Sequence, residues 1–220
     1  VVAMAEKGGF LNAPDVYMDK IAVGGGLPDG VVDLDNTPED NLKSVASALG
    51  KNLNDVVVCI LDRPRHTDLI KSVRDAGARI LLISDGDVSG VMATSDPNSG
   101  IDIYLGSGGA PEGVLACAAL RCIGGQFQGR LLFRNDDERG RAAKWGIEDL
   151  DRKYDLHELA SGDVMFAATG VTDGTLLRGV RVSSSSAETE SMIMRSKTGT
   201  VRVVSAKHNL NRKPLVFADK

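Results

Sequence analysis

Apolar runs of strand length alternate with helical patterns through the middle of the chain. Residues 56–61 (VVVCIL) form a continuous apolar run, typical of a strand that is buried on both faces of a parallel sheet. Residues 78–84 predict a second strand, and the apolar run 101–105 predicts a third, buried strand. A polar turn and a helical pattern follow each run. This succession of strand, turn and helix predicts an open parallel α/β sheet with right-handed crossovers.

The predicted helices have recognisable ends. Residues 37–40 (TPED) combine an N-cap threonine, a proline and two acidic residues, and they open a helix that ends at Gly50. The helix after the first apolar run ends at Gly77, where a glycine can adopt the left-handed cap conformation. A short helix over residues 88–92 and an apolar helix over residues 114–122 complete the α/β part.

The start of the chain is predicted to hold a short strand and a loop. Residues 1–5 (VVAMA) have the pattern of a strand entered midway, without an initiator Met, so we expect the chain to be part of a longer protein. Residues 7–20 are predicted to form a glycine turn and a loop. Tyr17 in this loop has two interpretations, a ligand contact or a half-buried tyrosine whose hydroxyl is satisfied.

Residues 24–30 (GGGLPDG) break the chain and predict a surface loop near a domain junction. We therefore expect two units, residues 1–50 as the remainder of an N-terminal domain and residues 51–220 as a C-terminal α/β domain. The later elements are predicted in this order: a strand over residues 126–133, a charged helix over 135–152, a strand over 163–169, antiparallel hairpins over 180–206 and a loose tail over 214–220.

Composition narrows the class of protein. The chain has 220 residues, 42% hydrophobic, and a net charge of −4, so nucleic acid and anionic membranes are not expected as partners. Its three cysteines, Cys59, Cys117 and Cys122, lie in apolar runs, which predicts buried thiols in a reducing compartment. The sequence has neither a membrane-length apolar run nor a recognisable signal peptide, and we expect a cytoplasmic protein.

Two arginines follow the first apolar run. Arg63 and Arg65 flank Pro64, which fixes the backbone between them, so both guanidinium groups could fork onto one phosphate. His66 would add a third donor. The alternative is a pair of solvated surface charges, since isolated motifs often have no function.

Two carboxylates follow the second apolar run. Asp85 and Asp87 flank Gly86, which allows a sharp turn. They could hold Mg²⁺ or Mn²⁺, or accept hydrogen bonds from sugar hydroxyls. The alternative is an Asx turn in which Asp87 caps the helix that starts at Val88.

The third apolar run leads into residues 106–113 (GSGGAPEG), which are predicted to form a strand-to-helix turn. Pro111 fits the first helical turn, and Glu112 places a carboxylate at the positive end of the helix dipole. Clustered glycines let backbone amides approach an anion closely, so the stretch has the outline of a phosphate and metal site. The alternative is a tight turn with an ordinary first-turn acid.

These candidate residues share one position in the predicted fold, the carboxyl ends of strands, where open α/β sheets bind ligands. No Ser-His-Asp, Cys-His or zinc pattern competes, and no Walker A loop is present. The combination indicates metal-assisted phosphoryl chemistry on a small polar ligand. The residues are Arg63, Arg65, Asp85, Asp87, Gly109 and Glu112.

Five segments in the same order resemble the class II fructose-1,6-bisphosphatases. They are residues 8–15 with Tyr17 and Met18, residues 63–66 (RPRH), residues 85–88 (DGDV), residues 108–114 (GGAPEGV) and residues 168–172 (ATGVT). Residues 62–66 and 125–129 (GQFQG) are most similar to the cyanobacterial branch, which also acts on sedoheptulose 1,7-bisphosphate. The resemblance covers nearly the whole chain.

The resemblance implies an inositol-monophosphatase-like sugar phosphatase fold with the site between two α/β layers, a sugar bisphosphate as ligand, Mg²⁺ or Mn²⁺ as cofactor, and a homo-oligomer. It implies water attack on the 1-phosphate, which gives fructose 6-phosphate and phosphate. By motif, the resemblance implies that Tyr17 contacts substrate and that Arg63, Pro64 and Arg65 hold the uncleaved phosphate. Sugar hydroxyls would be bound by Asp85, Gly86 and Asp87. The backbone of Gly109 would face the ligand, and Glu112 would ligate the metal.

The sequence departs from that family in one important respect. Family members run roughly a hundred residues further at the N-terminus, and that part holds most of their metal ligands, so we expect a separate N-terminal segment to supply them. One carboxylate is too few for a two-metal hydrolytic site, which predicts little activity from these residues alone. Two alternatives are a non-catalytic sugar-phosphate-binding fragment and a phosphatase of this fold for another substrate, such as an inositol phosphate. The segment from Asn135 to Trp145 is expected to be a trimmed surface loop.

Overall fold

The protein is described by a computed structural model that covers residues 1–212, so the predicted tail over residues 214–220 lies outside the described part. The helices are α1 (Pro38–Leu49), α2 (Thr67–Asp75), α3 (Asp87–Ala93), α4 (Ala110–Ile123), α5 (Asp136–Lys144) and α6 (Leu156–Leu159). The strands are β1 (Val2–Ala5), β2 (Tyr17–Val23), β3 (Val57–Leu61), β4 (Arg79–Ile83), β5 (Ile103–Gly109), β6 (Gln126–Leu132), β7 (Lys153–Asp155), β8 (Val164–Thr169), β9 (Arg181–Val182), β10 (Ser186–Arg195) and β11 (Thr200–Asn209).

The larger sheet has six strands in the order β4-β3-β5-β2-β6-β7. β4, β3 and β5 are parallel neighbours, as the sequence predicts, whereas β2 is antiparallel to both β5 and β6. The sheet is therefore mixed rather than parallel throughout. The loop predicted up to Lys20 is wrong over residues 17–20, which form the first half of the central strand β2.

The smaller sheet has five strands and is antiparallel throughout. Its order is β1-β8-β10-β11, with β9 paired to β10. β10 and β11 pair along ten residues each, and the turn between them closes at Gly199, whose φ of 57° lies in the left-handed region. The strand at the start of the chain and the late antiparallel hairpins are confirmed.

The helix α4 lies between the two sheets. Phe166 and Met194 of the five-stranded sheet share a core cluster with Leu120 of α4 and with Met18 and Tyr104 of the six-stranded sheet. A second cluster joins the opposite face of the six-stranded sheet to α1 and α2. The order of layers is therefore α1 and α2, the six-stranded sheet, α4, and the five-stranded sheet.

Helix ends largely follow the sequence signals. The hydroxyl of Thr37 accepts a hydrogen bond from the backbone of Asp40 at the start of α1, and Gly50 adopts φ 62° at its end. The helix predicted over residues 135–152 is too long, because α5 ends at Lys144 and Gly146 follows with φ 83°. That left-handed glycine stops the helix, and the chain then forms the short strand β7, which the sequence pattern did not indicate.

The remaining structural expectations have mixed outcomes. All three cysteines are free and buried, and burial raises the pKa of the Cys59 and Cys122 thiols to about 11. Within the described residues, no helix has the length and apolar character needed to cross a membrane. The division into units 1–50 and 51–220 stays a prediction, and α1 packs in the same cluster as β3 and α2.

Candidate functional site

One edge of the six-stranded sheet gathers the candidate residues. β3, β4 and β5 end at this edge because they are parallel, and β6 also ends there because both β5 and β6 are antiparallel to β2. For the same reason β2 begins at this edge. Tyr17, its first residue, pairs with Gly109 at the end of β5 and with Leu132 at the end of β6. The central antiparallel strand thus brings Tyr17 into the site.

Arg65 is held in place beside Tyr17. Its Nη2 donates a hydrogen bond to the carbonyl oxygen of Ser107 at 2.6 Å, and its Nε lies 3.1 Å from the Ser107 hydroxyl oxygen. Its guanidinium carbon lies 4.8 Å from the centre of the Tyr17 ring, within the range of a cation–π contact. The group remains exposed, so an orientated positive charge faces solvent at the sheet edge.

His66, the residue after Arg65, connects the end of β3 to Ser107 of β5 through hydrogen bonds. It is buried, its Nε2 accepts a hydrogen bond from the backbone N–H of Ser107 at 2.8 Å, and its Nδ1 donates to the carbonyl oxygen of Leu61 at 2.7 Å. Burial lowers the pKa of His66, which favours the neutral ring. The expectation of a third phosphate donor at His66 is therefore wrong, because both ring nitrogens are engaged by backbone groups.

Arg63 and Pro64 lie on the same loop, directly after β3. Pro64 starts a single 3₁₀ turn over Pro64–His66, consistent with its fixed φ. The Nη1 of Arg63 donates to the carbonyl oxygen of Asp62 at 2.8 Å, whereas Arg65 is bound to Ser107. Simultaneous binding of one phosphate by both arginines therefore stays a prediction.

The two carboxylates after β4 differ in their surroundings. Asp85 is exposed, while Asp87 is buried and accepts a hydrogen bond from Nζ of Lys20 at 2.5 Å. Gly86 adopts φ 80° and itself occupies the N-cap of α3, so Asp87 is the first helical residue. The alternative in which Asp87 caps the helix is wrong, although its Oδ1 does accept from the backbone N–H of Val88 at 3.0 Å.

The glycine-rich segment is more extended than the sequence predicts. β5 continues through Gly109, and α4 begins at the next residue, Ala110, so residues 106–109 are strand rather than turn. Glu112 lies in the first turn of α4, as predicted. A Cβ built on Gly109 would lie 2.0 Å from Oε2 of Glu112. The carboxylate therefore folds back over Gly109, in the space that only a glycine leaves free.

A metal site requires more ligands than this edge supplies. Within the described residues, no group of three or more His, Cys, Asp or Glu side chains could hold a metal ion. Glu112 contributes one carboxylate, and Mg²⁺ and Mn²⁺ need several oxygen ligands. The residues present therefore do not make a complete metal site.

Sequence reasoning missed two other side chains at this edge. Arg134 follows β6, and its guanidinium carbon lies 5.3 Å from the centre of the Tyr17 ring. Glu138 accepts hydrogen bonds from the backbone and side chain of Arg134, which lower the pKa of this carboxyl. The available signal was the position of Arg134 just after a strand whose carboxyl end lies at the same edge.

Asp19 is a further missed residue on the same strand as Tyr17. It pairs with Ser107 in the β2–β5 register. Burial raises the pKa of its carboxyl, and a hydrogen bond from the backbone of Lys20 and the charge of Arg130 oppose part of that effect. A half-buried acid therefore lies beneath residues 63–65, the arginine loop.

Together, the fold and the edge residues define a mixed α/β protein with guanidinium groups and carboxylates gathered where parallel strands end. Residues 1–208 match the family described as bacterial fructose-1,6-bisphosphatase, glpX-encoded, and the chain belongs to this family.

Curated relatives agree with this assignment. One relative, from Synechococcus sp. (strain JA-2-3B'a(2-13)), is named D-fructose 1,6-bisphosphatase class 2/sedoheptulose 1,7-bisphosphatase. It is 44% identical to this chain over an alignment of 221 residues. The alignment covers 94% of this chain and 63% of the relative. A protein of the same name from Trichodesmium erythraeum (strain IMS101) is 42% identical and covers 94% of this chain and 64% of the relative. The chain thus spans somewhat less than two thirds of the length of these relatives.

Proposed function

We propose that this chain is the sugar-phosphate-binding part of a bisphosphatase. The complete enzyme hydrolyses the 1-phosphate of fructose 1,6-bisphosphate, which gives fructose 6-phosphate and inorganic phosphate. Sedoheptulose 1,7-bisphosphate is a second substrate. Family membership and the names of the cyanobacterial relatives support both substrates.

The observation that carries the proposal is the arrangement around Tyr17. Arg65, fixed on Ser107, places a positive charge against the Tyr17 ring, and the strand that begins at Tyr17 also carries Lys20, the partner of Asp87. An exposed guanidinium and acidic acceptors along one sheet edge match a ligand with a phosphate at one end and hydroxyls along its chain.

Each candidate residue has a role in this proposal. Arg65, together with Arg63 and Pro64, holds the phosphate that is not cleaved, because guanidinium groups bind phosphate oxygens in pairs. Tyr17 packs against the sugar or its phosphate. Asp85, Gly86 and Asp87 accept hydrogen bonds from sugar hydroxyls. The backbone of Gly109 faces the ligand.

Glu112 is proposed as one ligand of a divalent cation, Mg²⁺ or Mn²⁺. Its carboxylate lies at the amino end of α4 and is exposed. The other ligands would come from a segment that the chain does not share with its longer relatives. The described residues alone do not complete this cation site.

The fold is proposed to be part of an inositol-monophosphatase-like sugar phosphatase fold. The alternation of helical layers and two sheets around α4 is consistent with it. A homo-oligomer in the cytoplasm is the expected setting.

A second candidate function is a sugar-phosphate-binding fragment without catalysis. The observation that favours it is that the described residues contain no group of three or more His, Cys, Asp or Glu side chains that could hold a metal ion with Glu112. In that case the arginine loop and residues 85–87, the acidic turn, bind fructose 6-phosphate, and no phosphate is released.

The first experiment tests phosphate binding. Arg65→Ala should weaken fructose 6-phosphate binding by about 10- to 100-fold in isothermal titration calorimetry, since a charge-assisted hydrogen bond contributes about 1.5–3 kcal/mol. Arg74→Ala, at the exposed end of α2, is the matched control and should leave the affinity unchanged. Equal affinity in Arg65→Ala and wild type would overturn the phosphate assignment.

The second experiment separates the two candidate functions. Phosphate release from fructose 1,6-bisphosphate is measured with Mn²⁺, first with this chain alone and then after adding the N-terminal segment of a cyanobacterial relative. Release only after the addition supports the bisphosphatase. Binding of fructose 6-phosphate without release in either case supports the non-catalytic fragment.

A further inference from the structure

Lys20 is a cation in the interior of the six-stranded sheet. It lies on the central strand β2 and is only 1% exposed. A buried ammonium group loses its hydration, so it is retained only where a partner compensates for that loss. Its neighbours on the same face of β2, Met18 and Ala22, both belong to the apolar cluster around α4. The ammonium group of Lys20 therefore needs a specific partner of opposite charge.

That partner is Asp87, which is 67 residues away along the chain. Nζ of Lys20 lies 2.5 Å from Oδ2 of Asp87, and the other carboxylate oxygen accepts from the backbone N–H of Val88 at 3.0 Å. Both oxygens of the carboxylate thus have a fixed donor. The side-chain orientation of Asp87 is set by one donor from β2 and one from α3.

Two glycines of the segment after β5 leave room for this ion pair. A Cβ on Gly108 would lie 2.5 Å from Oδ2 of Asp87 and 3.1 Å from Nζ of Lys20. A Cβ on Gly113 would lie 3.3 Å from Cε of Lys20. The lysine side chain therefore reaches α3 past Gly108 of β5 and Gly113 of α4. This geometry connects residues 108–113 (GGAPEG) with residues 85–87 (DGD), two motifs that are separate in the sequence.

We infer that Lys20 is a positioning residue for the sugar site. It fixes the carboxylate of Asp87 in the orientation that accepts a hydrogen bond from a sugar hydroxyl. Lys20 is itself too deeply buried to contact a ligand, so its effect passes through Asp87. The inference rests on the proposed function, because it assigns to Asp87 a role in binding the sugar.

The test compares two ligands, fructose 6-phosphate and ethyl phosphate, by isothermal titration calorimetry. Both carry a phosphate, but ethyl phosphate has no sugar hydroxyls. Lys20→Met should weaken fructose 6-phosphate binding about 10-fold or more and change ethyl phosphate binding by less than 2-fold. Lys51→Met is the matched control, because Lys51 forms an ion pair with Asp102 at 2.6 Å before the start of β5. It should change neither affinity.

A double variant distinguishes positioning from a merely structural role. If Lys20 acts through Asp87, Lys20→Met combined with Asp87→Asn should bind fructose 6-phosphate no more weakly than Asp87→Asn alone. The double variant also removes the unpaired buried charge, so it remains informative if Lys20→Met fails to fold. Additive losses, or equal weakening of both ligands, would overturn the inference.

A crystal structure of the Lys20→Met variant gives a readout that does not depend on ligand binding. We expect the Asp87 side chain to leave its hydrogen bond to Val88 or to adopt another rotamer. An unchanged Asp87 would overturn the inference. A displaced Asp87 in the variant, with no fructose 6-phosphate binding by wild type, would support the positioning role and count against the proposed function instead.

Discussion

The two sheets of this protein differ in where their strand ends lie. In the six-stranded sheet, four strands end at the edge where β2 begins, and that edge carries the arginine loop, the acidic turn and Glu112. In the five-stranded sheet every neighbour is antiparallel, so strand ends are divided between both edges. The parallel strands therefore bring the candidate polar groups, which come from distant parts of the chain, together at one edge of the six-stranded sheet.

The two sheets also differ in how their faces are covered. Helices pack on both faces of the six-stranded sheet, whereas α4 covers one face of the five-stranded sheet. Val2, Met4, Met165 and Ile193 are exposed on the smaller sheet. The comparison indicates a division between the two sheets: the six-stranded sheet positions the residues that we propose to bind the ligand, and the five-stranded sheet packs against α4 from the other side.

The strongest test of that division is a substitution that creates a cavity beside the five-stranded sheet. Phe166 is 1% exposed and packs in the cluster around α4, so Phe166→Ala should lower the free energy of unfolding by about 3–5 kcal/mol. Urea denaturation measures this loss. At a temperature where the variant is folded, its affinity for fructose 6-phosphate should equal that of wild type.

Met165→Ala serves as the control for this variant. Met165 precedes Phe166 on β8, points to the opposite face and is 40% exposed, so its truncation should cost less than about 1 kcal/mol. If Phe166→Ala weakened ligand binding while remaining folded, the two sheets would not have separate tasks.

A smaller effect is expected where α4 meets β2. A Cβ on Gly113 would lie 2.5 Å from the sulfur of Met18, which is fully buried, so Gly113→Ala should destabilise the protein by about 1–3 kcal/mol through overpacking. Gly140→Ala is the control, since Gly140 lies in α5 with no atom within 4 Å of its added Cβ. It should stabilise by about 0.4–1 kcal/mol. Thermal unfolding of both variants would contradict the argument if their shifts had the same sign.

The next effect concerns the helical cover of the six-stranded sheet. The hydroxyl of Thr37 caps α1 by accepting from the backbone of Asp40. Thr37→Ala should therefore cost about 1 kcal/mol in urea denaturation, whereas Thr37→Ser should restore most of the stability. Equal losses in both variants would show that the methyl group of Thr37, rather than its hydroxyl, stabilises the helix.

The last effect depends on pH and concerns the support of the arginine loop. Burial lowers the pKa of His66 from its usual 6.5, so the unfolded chain binds a proton at a higher pH than the folded chain does. The contribution of His66 to stability is therefore complete above pH 6.5 and decreases as the pH falls from 6.5 toward the folded-state pKa.

Urea denaturation of wild type and His66→Gln at several pH values measures this contribution. The stability advantage of wild type should be larger at pH 7.5 than at pH 5.5. An advantage that grows on acidification would contradict a neutral His66 ring bound to Leu61 and Ser107.

Much of the α/β part could be predicted from the sequence because its signals are local. The apolar run of β3 is buried almost throughout, and the threonine and glycine at the ends of α1 have the expected conformations. The placement of Arg65 and Asp87 at strand carboxyl ends followed from the same pattern. Local periodicity and capping chemistry are enough to define such elements.

The central strand β2 could not be predicted in the same way. Its sequence includes Asp19 and Lys20, two charges that indicate a loop when only neighbouring residues are considered. Lys20 is compatible with the core because Asp87, far along the chain, supplies the compensating charge. The position of Tyr17 beside Arg65 depends on this strand, so the sequence singled out Tyr17 without indicating the strand that places it.

The position of β2 also determines the order in which the sheet can assemble. Tyr17 pairs with Leu132, more than a hundred residues later, so the centre of the sheet remains incomplete until β6 has emerged from the ribosome. At the usual rates of synthesis this takes about 6–23 s, during which β2 lacks β6 and, until β5 has emerged, lacks both of its neighbours. The pairing of β2 with β5 and β6 is thus a contact of high sequence separation, which makes it a slow folding step. Before this pairing the strand edges of β2 are exposed, and the chain is most prone to aggregation.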